Sequence, residues 1–62
     1  MKEGTKVRIL GNTVYAHFFA KNSIVQIVRS CENEKGYTAD DFVCTDGGAQ
    51  QILHQDDFEV VK

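Results

Sequence analysis

The stretch Ser23–Cys31, reading Ser-Ile-Val-Gln-Ile-Val-Arg-Ser-Cys, constrains the fold more than any other part of the chain. Ile24, Val25, Ile27 and Val28 crowd β-branched side chains into one short run. Such side chains lose rotamer freedom in a helix and pack well on a pleated surface. The run therefore reads as a strand, buried on one face and partly on the other. A chain of 62 residues has room for one domain and one such core. The remaining elements must fold around this strand.

The flanking segments supply four more strands. Lys6-Val7-Arg8-Ile9-Leu10 alternates, with Val7 and Ile9 on one side and Lys6 and Arg8 on the other, the pattern of a half-buried strand. Gly11-Asn12 ends it, since both residues tolerate positive φ. Residues 13–22 are too aromatic for an ordinary solvated loop and too rich in strand-favouring residues for a short helix. They read as a long ordered loop folded back over the core, with Phe18 or Phe19 plugging one end of the barrel. Glu32 to Gly36 is a polar hairpin turn. Tyr37 to Thr45 returns antiparallel, and Asp40-Asp41 is expected to interrupt it with a bulge or a loop extension, because adjacent carboxylates suit a solvated bend. Asp46-Gly47-Gly48 is the strongest short turn. Ala49 to Leu53 forms the fourth strand and His54 to Asp56 one 3₁₀ turn. Asp57 to Val61 is the last strand, with Phe58 and Val60 inward and Glu59 outward. Five short antiparallel strands enclose so small a core best as a partly open barrel. The expected class is all-β, with a single domain over residues 1–62.

No stretch approaches the roughly 18 apolar residues of a membrane span, and the start lacks the apolar core of a signal peptide. Both point to the cytoplasm. Cys31 and Cys44 are too few for a disulfide framework and read as free thiols, two small apolar groups that the central hairpin would bring face to face. The net charge of −2 is unevenly spread: residues 1–29 hold five bases and one acid, residues 30–62 two bases and eight acids. In a small barrel the two halves interleave, so mutual neutralisation is the expected outcome.

A strand, a long loop, a three-strand meander, a 3₁₀ turn and a short last strand make up the element order of an SH3-like barrel. Gly4-Thr5-Lys6-Val7-Arg8-Ile9 resembles the Gly-Asp-x-Val-x-Val start of many small bacterial and phage SH3-like proteins. Gly11-Asn12, Ile24-Val25-Gln26-Ile27 and Asp56-Asp57-Phe58-Glu59-Val60 are similar to the same group. The resemblance covers nearly the whole chain and rests on structural residues. It implies a five-stranded SH3-like barrel with a long aromatic loop after the first strand. It also implies a small phage or prophage accessory protein, working in a host cytoplasm if phage-encoded. The start partly resembles the KOW motif of ribosomal and transcription factors, although Asn22-Ser23 stands where that motif carries a Gly.

No catalytic constellation or cofactor motif is present, so the expected function is non-catalytic binding of a protein partner. The candidate contacts are Tyr15, His17 and Phe18 of the aromatic loop with the acidic pair Asp40 and Asp41. The polyproline groove of peptide-binding SH3 domains is lined by aromatics from the same loop, but this chain has no Trp and no aromatic in its 3₁₀ turn. The alternative is a nucleic-acid surface of Lys6, Arg8, Lys21 and Arg29, with Tyr15 to stack a base. Cys31, Cys44, His17 and His54 lack the close ligand pairs of a zinc site, so no metal is expected. The acidic set Asp40, Asp41, Asp46, Asp56 and Asp57 lacks calcium-loop spacing, and Asp56-Asp57 is expected to cap the turn before the last strand. An exposed strand edge on so small a core allows a homodimer.

Overall fold

The computed structural model describes residues 2–61. Its elements follow the expected order: β1 (Lys6–Ile9), β2 (Ile24–Ser30), β3 (Asp41–Thr45), β4 (Gln50–His54), a 3₁₀ turn (Gln55–Asp57) and β5 (Phe58–Val60). All strand pairs are antiparallel, and one sheet runs β4-β3-β2-β1-β5. The protein is all-β, five antiparallel strands in one sheet with a 3₁₀ turn before the last, the element order expected of an SH3-like barrel. The alternation in β1 is realised, with Val7 and Ile9 fully buried and Lys6 and Arg8 exposed. In β2, Val25 and Ile27 turn inward while Ile24 faces out. They meet Phe42, Cys44, Leu53, Phe58 and Phe19 in one core cluster. Phe42 and Phe58 lock it edge to face, with ring centroids 5.9 Å apart.

Three local expectations are corrected, while at Asp40-Asp41 the loop extension is the alternative realised. A bulge lies instead in β2 at Val28, where the pairing with β3 shifts between Ile27 and Arg29. An extra residue bends its strand and increases twist, and β2, the middle strand of the sheet, is where a bend curls the whole sheet. The returning strand begins at Asp41, and Tyr37 to Asp40 stay in a turn. Local bonds hold that turn: the Thr38 amide donates to Asp41 Oδ2 at 2.8 Å, and the Asp40 amide donates to the Thr38 hydroxyl at 3.2 Å. Side-chain oxygens that capture nearby amides compete with a strand ladder. Val60 lies opposite Val7 and so shares its inward side, yet it is 46% exposed because β5 is an edge strand with no neighbour beyond it. Cys31 and Cys44 do not face each other. Cys44 pairs with Ile27, while the Cys31 amide donates to the Asp41 carbonyl, three residues and roughly 10 Å further along β3.

The turns follow their sequence signals. Asp46 Oδ1 accepts the amides of Gly48 and Ala49 at 2.9 and 3.0 Å, while Gly47 sits at φ +100°. That left-handed backbone suits a residue without Cβ. Asn22 takes the same region at φ 71° and launches β2, with its amide bonded to the Ile9 carbonyl at 2.7 Å.

Candidate interaction surface

Two faces of the barrel carry candidate residues. The first is built by the long loop between β1 and β2, which two buried carboxylates from distant parts of the chain hold in place. Asp57, in the 3₁₀ turn, accepts the Thr13 amide and hydroxyl on Oδ1 at 3.1 and 2.7 Å and the Val14 amide on Oδ2 at 3.2 Å. Asp41, at the start of β3, accepts the Tyr15 hydroxyl on Oδ2 at 3.0 Å. Three consecutive loop residues are thereby tied down. Burial alone would raise both carboxyls. At Asp57 the Thr13 hydroxyl and amide, the Val14 amide and nearby His17 outweigh it and hold the group below its ordinary value. At Asp41 the Thr38 amide, the Tyr15 hydroxyl, the Thr38 hydroxyl and His54 do the same. Burial pushes the Tyr15 hydroxyl up, and its bond to the Asp41 carboxylate pushes the same way.

The loop's aromatics divide between inside and outside. Phe19 is the plug in the core, and Phe18 lies outside, 63% exposed, with its ring set against Phe19 at 5.4 Å. His17 is buried: Nδ1 accepts the Phe19 amide at 3.1 Å, so Nε2 carries the proton and donates to the Gly11 carbonyl at 2.7 Å. Tyr15 packs its ring 5.8 Å from Tyr37. Of the five residues expected to touch a protein, the structure brings Tyr15 and Asp41 into contact and spends both, with His17, on holding the loop. Phe18 and Asp40 are exposed.

The second face is the outside of β5-β1-β2. Registers place Ile24 opposite Arg8 and Arg8 opposite Glu59, so these three form one row across the strands. Ile24 is 49% exposed and Val61 41%, and Leu10 continues the exposed side of β1. An open hollow of about 460 Å³ lies between Ile24, Arg8, Glu59, Val60 and Val61. Another of about 300 Å³ lies on the other side of Ile24, bounded by Lys6, Gln26, Thr45 and Asp46. Sequence reasoning assigned no role to Ile24 or Val61. Period-two alternation with Val25 and Ile27 inward was the signal that Ile24 points outward.

The four basic candidates do not form one patch. Lys6 and Arg8 share this outer face, but Arg8 is paired with Glu59 and Arg29 with Glu34. Cys31 and Cys44 are free and buried. Burial and then Glu34 push the Cys31 thiol up, and burial with Cys31 nearby pushes Cys44 up to about 12. Thiols held protonated in this way are poor nucleophiles and poor metal ligands. Among the described residues no three His, Cys, Asp or Glu side chains gather to hold a metal ion. No helix among them is long and apolar enough to cross a membrane.

Fold and surface together define a small all-β, five-stranded domain with an ordered loop on one side and a partly apolar sheet face on another. Comparison with family models, curated proteins and solved structures finds no match for this chain.

Proposed function

We propose that the chain is a non-catalytic binding module that docks a protein partner on the outer face of β5-β1-β2. The observation that carries this reading is the exposure of Ile24 and Val61 on either side of the Arg8–Glu59 ion pair, beside the two hollows of that face. Exposed apolar side chains next to charged ones give the mixed apolar and polar composition of a protein interface, with Ile24 as the candidate apolar anchor. The surface gives a nucleic-acid backbone less to hold. Among the described residues Arg8 and Arg29 already have carboxylate partners, which leaves Lys6 and Lys21 of the four candidates to meet phosphates. The resemblance to small bacterial and phage SH3-like proteins supports a phage or prophage accessory role in a host cytoplasm.

The test is capture from a bacterial lysate on the immobilised protein, comparing the wild type with Ile24→Glu and Lys21→Glu. A stoichiometric protein retained by wild type and Lys21→Glu but lost with Ile24→Glu supports the reading. Retention of salt-eluted nucleic acid that depends on Lys21 and not on Ile24 contradicts it.

A further inference from the structure

We infer that the occupant of the β5-β1-β2 face is a second copy of this chain. The inference rests on the reading of that face as a protein-docking surface and names its partner. A twofold contact uses the same patch on both molecules, so the patch must complement itself. This one holds a knob and a hole side by side. Ile24 projects from β2, half exposed, and forms one wall of the hollow whose far wall is Val60, at the end of β5, and Val61 just beyond it. Turning a second copy through 180° about an axis that lies in the plane of this face, perpendicular to the line from Ile24 to the hollow, sets the Ile24 of each molecule over the hollow of the other.

Charge favours the same occupant. The described residues of this face balance, Lys6 and Arg8 against Asp46 and Glu59, although the chain as a whole carries −2. The excess acid lies elsewhere, at exposed positions such as Glu32, Asp40 and Asp56. A strongly basic or acidic partner gains nothing over this face. Two charge-balanced faces meet there without like-charge repulsion, and the acidic sides stay apart. A domain of this size leaves much of its apolar surface uncovered, and pairing covers it.

Sedimentation equilibrium and dilution-series amide spectra, up to about 1 mM protein, test this directly. The expected result is a mass rising with concentration from the 7.0 kDa of one chain to twice that, with the shifts confined to residues such as Arg8, Ile24, Gln26, Glu59 and Val61. Ile24→Thr keeps β-propensity at an exposed site and is expected to weaken the dimer roughly thirtyfold or more, as loss of a central anchor does, with the folded spectrum retained. Ile24→Glu does the same with added charge. A monomer at every concentration overturns self-association while leaving the docking proposal to its own capture experiment. A dimer indifferent to both Ile24 variants, or one whose shifts fall on Tyr15, Phe18 and Tyr37, also overturns the inference, since the second copy then sits on another surface.

Discussion

Asp41 and Asp57 are the same residue at the same burial, each 1% exposed, and each grips the long loop, yet their carboxylates are engaged differently. Both oxygens of Asp57 accept bonds, from Thr13 on one and Val14 on the other. Asp41 takes all its bonds on Oδ2, from Thr38 and Tyr15, and its buried Oδ1 has no partner among the described residues. A buried acceptor without a donor offsets part of what the bonded oxygen contributes. Asp57 is therefore the stronger anchor. Asp41 joins the loop to the turn between β2 and β3 at a smaller net gain.

Amide replacement separates the two sites. At position 57 an asparagine must turn its NH₂ toward a donor whichever way it flips. Asp57→Asn is expected to cost about 2–3 kcal/mol in urea unfolding, from lost charge-assisted bonds and an opposed donor. At position 41 the amide oxygen can take the place of Oδ2 and the NH₂ the empty side. Asp41→Asn is expected to cost only ~1 kcal/mol, and equal costs would erase the distinction drawn here.

Acid sharpens the same comparison. Both groups are held below the ordinary carboxylate value of 3.8, so the unfolded chain takes up protons first as pH falls. The stability they contribute is complete above that value and is lost as pH drops through the folded-state values beneath it. Thermal unfolding across pH 5 to 2 should thus show a falling limb below about pH 4, shallower in Asp57→Asn than in the wild type. Smaller still is the effect of Tyr15→Phe, which removes one of the donors on Asp41 Oδ2 and leaves those of Thr38. Its midpoint should fall by less than that of Asp41→Asn. Phe18→Ser, at an exposed ring, should leave the unfolding midpoint within the scatter of surface substitutions, about ±0.5 kcal/mol.

The sheet was legible in the sequence because period-two alternation is local. Val7 and Ile9 announce their face within four residues, and Asp46-Gly47-Gly48 announces its turn within three. What escaped was decided over long separations. The bond from Thr13 to Asp57 spans 44 residues, and nothing near either residue predicts it. Asp56-Asp57 read as a cap, but the observed cap is the His54 ring, whose Nδ1 accepts the Asp56 amide at 3.1 Å. That left Asp57 to turn inward. Val60 was placed inward by its alternation with Glu59, and only the strand order reveals that nothing covers it. For the candidate surface, the aromatic residues that attracted attention are largely consumed in ordering the loop. Ile24, an ordinary strand residue, is left in the open.

Hydrogen exchange at the Thr13 and Val14 amides tests the claim that buried Asp57 pins the long loop. Protection approaching that of the β1 amides, lost selectively in Asp57→Asn while β1 and β2 stay protected, is the expected result. Exchange at the rate of a solvated loop in the wild-type protein would contradict it.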